Sequence, residues 1–240
     1  NLPVTEQNPV LNSTNIDAFN RLRVSQVNSQ ADLKQIHDEL PLFYNHQTIG
    51  TGNVAYELFK ESETGMTTSN NNDVAIIQTK QRYNYSSGKS SLILISFRAF
   101  KDQTNITKRV GYYNSSTVSP YNSNLDGIWL ENNNGTINFC ISLDGTTTTI
   151  PQSSWNDPLD GTGTSGIDLL LGADNNNLLL WFDFEWLGVG TVRWGFVKDG
   201  AFLIAGKKDY IGVNGVYMSS PNHSIRAEIR QTGVGNGSFV

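Results

Sequence analysis

Asp183 and Glu185 occupy alternate positions in the run Trp181-Phe182-Asp183-Phe184-Glu185-Trp186. A β-strand there sets both carboxylates on one face, about 6 to 7 Å apart. Sandwich-fold glycosidases that retain configuration use carboxylates spaced this way, and Trp181 or Trp186 could stack on a sugar ring. Such enzymes carry a Glu-x-Asp-x-x-Glu or Glu-x-Asp-x-Glu run, and here Trp181 stands at the first acidic position. The hairpin that follows gives Glu185 to Arg193 as a structural ion pair, which holds the acid ionised and unsuited to proton donation. No catalytic residue is assigned, and the expectation is a chain that is not an enzyme.

Other groups with chemical potential lack the context their chemistry needs. Gly161-Thr162-Gly163-Thr164-Ser165-Gly166 matches G-x-G-x-x-G, but no strand leads into it and no α/β pattern surrounds it, so it reads as a flexible turn. His37, His46 and His223 show no ligand spacing and default to surface or capping roles. Asp174-Asn175-Asn176-Asn177 lacks calcium-loop spacing and reads as a solvated turn. No metal or cofactor is expected. Tyr112, Tyr113, Trp129 and Trp155 could form a stacking platform for a glycan, against the plainer reading that most aromatics of a sandwich are core.

The elements that would position these groups are strands. Residues 178–206 form the densest apolar run and hold three of the five tryptophans. Alternation places Phe182, Phe184 and Trp186 on one face, and Val192, Trp194 and Phe196 follow suit on the return strand. A three-residue Gly188-Val189-Gly190 loop sets Trp186 opposite Val192, Phe184 opposite Trp194 and Glu185 beside Arg193. Asp199-Gly200 then turns the chain into a third strand over 201–205. A second meander is marked by Asn134-Gly135 and Asp144-Gly145, with Leu130 opposite Phe139 and Ile128 opposite Ile141. Residues 74–77 and 92–97 read as strands separated by a turn over 86–89, Leu169 to Leu171 looks like another strand, and 216–218 and 225–229 read as closing strands. The polar loop 151–166, containing Trp155, Asp157 and Asp160, is long enough to suggest a specific role. One helix is predicted over 30–40, from Leu33, Ile36 and Leu40 at helical spacing with Pro41 as its stop. About ten strands with short turns predict an all-β protein: an antiparallel β-sandwich of jelly-roll or concanavalin-like type.

At 240 residues the chain can bury a sizeable core. Only 16% of residues are charged and the net charge is −5, which argues against broad nucleic-acid binding. No run approaches the ~18 apolar residues of a membrane span. Cys140, the single cysteine, reads as a small buried side chain. Residues 1–28 read as an extended arm and 29–240 as the sandwich. Within the arm, Phe19, Arg21, Leu22, Arg23 and Val24 lie in a stretch that could add a strand to a neighbour. The stop at Gly237-Ser238-Phe239-Val240 looks arbitrary, so a longer parent chain is expected.

Several stretches together resemble a group of structural proteins from tailed bacteriophages and environmental viruses. They are Ala18-Phe19-Asn20-Arg21-Leu22-Arg23-Val24-Ser25, Gly111-Tyr112-Tyr113, Asp126-Gly127-Ile128-Trp129-Leu130-Glu131, Gln152-Ser153-Ser154-Trp155-Asn156-Asp157-Pro158-Leu159-Asp160-Gly161, Trp186-Leu187-Gly188-Val189-Gly190-Thr191-Val192-Arg193-Trp194-Gly195-Phe196 and Tyr217-Met218-Ser219-Ser220-Pro221-Asn222. Relatives often carry histidines where this chain has Gly206-Lys207-Lys208-Asp209-Tyr210. The resemblance implies a virion structural protein that decorates the capsid or forms part of a head or tail fibre. Its expected partners are other virion proteins and further copies of itself, with a trimer favoured by analogy with fibres and capsid local threefolds. The alternative is an adhesin module on the same fold that contacts host glycans.

Overall fold

A computed structural model describes residues 28–35, 38–56, 62–170, 177–187, 190–210 and 215–240. It is almost entirely antiparallel β. The seven-stranded sheet is built from β1 (Tyr44–Ile49), β4 (Val74–Thr79), β13 (Ile225–Gln231), β6 (Ile106–Asn114), β7 (Asp126–Asn133), β8 (Thr136–Leu143) and β9 (Thr146–Pro151), side by side in that order. Four strands form a second sheet: β12 (Ala201–Asp209), β11 (Thr191–Lys198), β10 (Leu178–Phe184) and β5 (Ser91–Phe97). The third holds β14 (Gly237–Phe239), β3 (Thr64–Thr68) and β2 (Asn53–Tyr56). Arg98, just past β5, and Val240, just past β14, exchange backbone hydrogen bonds of 2.6 and 3.3 Å. That exchange continues the four-stranded sheet into the three-stranded one as a second layer.

Alternation puts the apolar faces together. Ile128 and Leu130 of β7 and Phe139 and Ile141 of β8 meet Phe182 and Phe184 of β10 and Trp194 and Phe196 of β11 in one core. The Phe139 and Trp194 rings stack at 4.0 Å across it. Gly206 of β12 faces Trp194, and a Cβ there would sit 2.4 Å from the indole, so only glycine leaves the ring its place.

Turn chemistry behaves as predicted. Asn134-Gly135, Asp144-Gly145 and Asp199-Gly200 all have positive φ at both residues. Leu130 pairs with Phe139, and Ile128 with Ile141. The β10–β11 hairpin differs. Phe182 pairs with Trp194 and Asp183 with Arg193, two residues from the predicted register. A shift of two preserves which side chains face the core, because the side-chain period is two. The physical reason lies beyond β10: Tyr217 donates to the Glu185 carbonyl (2.5 Å) and Trp186 Nε1 to the Met218 carbonyl (2.9 Å). Those bonds draw the chain off the ladder before a three-residue loop could close it.

Further expectations are corrected. Residues 28–35 and 38–40 are not helical; Leu33 packs on the core from a segment without regular structure, and Gln30 donates to the Asn84 carbonyl (2.7 Å). An isolated stretch of this length gains too little from propensity to hold a helix when tertiary contacts pull otherwise. The helical turn that is described is a 3-10 turn over Gln152–Ser154. Val216, Tyr217 and Met218 form no strand, and Leu169 lies beside an isolated Asp160–Asp168 bridge rather than in one. The strands over 74–77 and 92–97 exist, but they fall in different sheets. Among the described residues, no helix is long and apolar enough to cross a membrane. The arm residues Phe19, Arg21, Leu22, Arg23 and Val24, the residues Leu171 and Asp174 to Asn176, and the Gly188-Val189 pair lie outside the described residues.

Candidate functional site

After β9 the chain makes its 3-10 turn and drives Trp155 into the core. The indole Nε1 donates to the Ile150 carbonyl (3.1 Å), and the ring meets Trp194 edge-on at 5.9 Å. With that anchor set, Asn156 emerges to solvent, and Asp157 N donates to the Ala205 carbonyl of β12 (3.0 Å). The Asp157 carboxylate then gathers the glycine-rich loop. It accepts from Ser165 N (2.8 Å), Thr164 Oγ1 (3.2 Å) and Leu159 N (3.2 Å). A Cβ on Gly163 would lie 1.9 Å from Asp157 Oδ1, so this glycine is required by the carboxylate beside it. The G-x-G-x-x-G match therefore closes on a protein carboxylate. Burial alone would raise the Asp157 pKa, and the Ser165 and Leu159 N–H groups bring it below the usual carboxylate value. Lys198 fastens the loop from outside by donating to the Ser165 carbonyl (2.8 Å).

Between this loop and β12 lies an open depression of about 280 Å³ lined by Asn156, Asp157, Thr164, Ser165, Leu203 and Ile204. One wall is an amide, a carboxylate and two hydroxyls; the other is the Leu203–Ile204 segment of β12. Such a surface can accept and donate hydrogen bonds along a hydroxyl-rich ligand while covering its C–H groups. The loop was singled out in the sequence by its length, but the contribution of Leu203 and Ile204 required the register of β12.

The four aromatics nominated as glycan contacts are all buried, which corrects that assignment. Tyr112 faces the core, where its Oη donates to the Pro221 carbonyl (2.7 Å) and accepts from His223 N (2.9 Å). Trp155 is the anchor described above. Tyr113 and Trp129 lie on the outer face of the seven-stranded sheet with ring centroids 5.1 Å apart, packed with Leu125 and Cys140. They form a small core of their own beneath a charge network. Arg109 donates to Glu131 (2.6 Å) and Glu228 (2.8 Å), and Arg226 donates to Glu228 (2.6 Å) while lying over Tyr113. Burial opposes ionisation of Glu228, but the Arg226 and Arg109 guanidiniums bring its pKa down. Arg226 also reaches Ser115 Oγ (2.8 Å) and the Tyr121 carbonyl (2.9 Å), so the 115–125 loop closes over this face.

The predicted Glu185–Arg193 ion pair is likewise corrected. Arg193 bonds Asp183, as the observed register requires. Both acids of the alternating pair are fully buried. His223 is buried rather than superficial, 3.0 Å from Asp126, whose carboxylate also accepts from Asp144 N (3.1 Å), Ser219 N (2.8 Å) and Ser219 Oγ (2.7 Å). It acts as a clamp between the β8–β9 turn and the 219–223 segment. No group of three metal-ligating side chains is found among the described residues.

No family model and no curated protein matches the chain. Among solved structures, the chain is similar to the Bacillus licheniformis β-glucanase at 14% identity, over 86% of this chain and 92% of that one, with a TM-score of 0.52. The fold is a concanavalin-like sandwich. The chain is also similar to the carbohydrate recognition domain of Emp47p (16% identity, 81% of this chain and 84% of that one, TM-score 0.45). A third similar structure is a legume lectin-like domain from Entamoeba histolytica (9% identity, 87% and 94%, TM-score 0.42).

Proposed function

We propose that this chain is a non-catalytic recognition module that binds carbohydrate in the depression between the 151–166 loop and β12. The observation that carries the reading is the pairing of Asn156, Asp157, Thr164 and Ser165 with the Leu203–Ile204 wall in the one depression described above. A β-glucanase is built on this fold, which by analogy makes carbohydrate the first ligand class to test. The electrostatics favour binding over hydrolysis. A glycosidic general acid needs a raised pKa. Asp157, the carboxylate that lines the depression, is displaced the other way: hydrogen bonds from Ser165, Leu159 and Thr164 outweigh burial and hold its pKa below the usual carboxylate value.

The test is an oligosaccharide array followed by calorimetry on any ligand found. Asn156 is exposed, so Asn156→Ala is expected to weaken binding at least tenfold with an unchanged melting temperature. An array without binders, or binding untouched by both Asn156→Ala and Leu203→Arg, overturns the reading. Release of reducing ends from the bound sugar overturns its non-catalytic half.

The sequence resemblance supports a second reading, in which the module is a structural component of a virus particle, as capsid decoration or in a fibre. Quantitative mass spectrometry of purified particles tests it. A copy number near that of the capsid subunit indicates a shell component, a few to tens of copies a fibre or tail, and absence from the particle removes this reading.

A further inference from the structure

Strand β9 closes one edge of the seven-stranded sheet, and its sequence is Thr146-Thr147-Thr148-Thr149-Ile150-Pro151. All four threonines are exposed. An exposed edge of β-branched, uncharged residues is a template for another strand, and proteins usually guard against that with charge. Two of the other described edges carry such guards. Strand β12 ends in the exposed Lys207, Lys208 and Asp209, and beside β1 Glu39 is laid against His46 at 3.4 Å. Strand β9 holds no charged residue at all.

The register shows which backbone groups this edge offers. Asp144-Gly145 is a two-residue turn, so Leu143 and Thr146 form a hydrogen-bonded pair, and so in alternation do Ile141 with Thr148 and Phe139 with Ile150. The N–H and C=O groups of Thr147 and Thr149 therefore point away from the sheet. We propose that β9 is a homodimer interface, pairing antiparallel with β9 of a second copy about a two-fold axis at Thr148. In that register Thr147 of each copy exchanges backbone hydrogen bonds with Thr149 of the other, which satisfies about four outward groups. Threonine meets threonine across the pair, a favourable cross-strand combination. The nearest charged residue, Asp144, falls opposite Gln152 of the second copy rather than opposite its own equivalent, so no like charges meet. The contact is isologous and closes on itself. Because the 151–166 loop follows β9 directly, the pairing also brings two copies of the depression near one axis.

The register makes the test specific. Across the axis the two Thr148 residues form a non-hydrogen-bonded pair with Cα atoms ~4.5 Å apart, within reach of a disulfide. The two Thr146 residues are offset by four positions, roughly 14 Å, and cannot be bridged. Under mild oxidation the full chain carrying Thr148→Cys is expected to give a covalent dimer at least tenfold faster than one carrying Thr146→Cys; native Cys140 is buried. Sedimentation of the unmodified chain is expected to show a dimer at ~10 μM. Thr149→Pro, which removes only an outward N–H, is expected to give a monomer with a melting temperature within a few degrees of the parent. A monomeric parent, a trimer, or equal crosslinking at the two positions overturns the proposal, and the crosslinking comparison decides it even if the proline variant fails to fold.

Discussion

Alternate residues of the same strands build the two faces of the seven-stranded sheet, and the faces achieve burial by opposite means. Inward, Ile128, Leu130, Phe139 and Ile141 meet the second layer in one apolar and aromatic cluster. Outward, their neighbours Trp129, Glu131 and Cys140 join Arg109, Glu228 and Arg226 in a network that is nearly as closed to water. Inside, stability comes from area removed from water and is indifferent to pH. Outside, each charge carries a desolvation cost that only its partners offset. The outer face is thus occupied by its own side chains and by the 115–125 loop. The proposed recognition site lies instead at the sheet's end, where Asp157 gathers a loop beside β12.

Glu228→Ala should be the most disruptive single change on the outer face. It leaves Arg226 without a carboxylate and Arg109 with one instead of two, and breaking such a buried pair costs about 3–5 kcal/mol. Phe139→Ala on the inner face is expected to cost a similar ~3–5 kcal/mol by losing the Trp194 stack and leaving a cavity. Urea unfolding measures both. The faces separate in the rescue: Arg226→Met with Glu228→Leu should recover most of the outer loss, since an apolar pair of similar volume replaces the ions. If the double variant is as unstable as Glu228→Ala, the network is doing more than pairing charge.

Acid should attack the charged contacts, the outer-face network among them, and spare the apolar inner face. The folded pKa of Glu228 lies below its ordinary value, so the stability it contributes is complete above about pH 4.5 and is lost as pH falls toward its folded pKa. Asp73 behaves alike. Burial would raise it, but Thr51 Oγ and the N–H groups of Ser69, Thr51 and Asn70 hold it at about 2. Melting temperatures between pH 7 and 2.5 should therefore fall steeply below pH 4.5. Glu228→Gln should start lower and fall less. Ile141→Val, which trims the inner face by about 0.5–1.5 kcal/mol, should run parallel to the parent at every pH.

The difference between the faces also explains what the sequence made legible. Side-chain parity and two-residue turns are local, so the β7–β8–β9 register and both apolar faces followed from Asn134-Gly135 and Asp144-Gly145 alone. The β10–β11 hairpin kept its faces but not its pairs, because the deciding bonds come from Tyr217 and Met218, some thirty residues further on. Arg193 stands opposite Asp183 instead of Glu185 for that reason. Tyr113 and Trp129 have the ring chemistry of a stacking platform, and nothing in their neighbourhood announces that Arg226 and the 115–125 loop cover them. At the candidate site, loop length marked 151–166, while the partner wall of Leu203 and Ile204 lies on a strand whose alignment depends on a bulge between Trp194 and Gly195.

Cys140 reports whether the outer face is shut. It packs with Tyr113, Leu125 and Trp129, and burial pushes its thiol up to about 12. The thiolate is the reacting species, so both occlusion and protonation slow attack. In the folded protein at pH 8, labelling by a disulfide reagent should proceed only as fast as this face opens, and should reach completion at once in denaturant. Trp129→Ala leaves a cavity against Tyr113 and Cys140 and should accelerate native-state labelling. Phe139→Ala should do so only to the extent that it promotes global unfolding. Rapid labelling of the unmodified protein would mean that the 115–125 loop lifts readily and that the outer face, with its aromatic pair, is open to ligands after all.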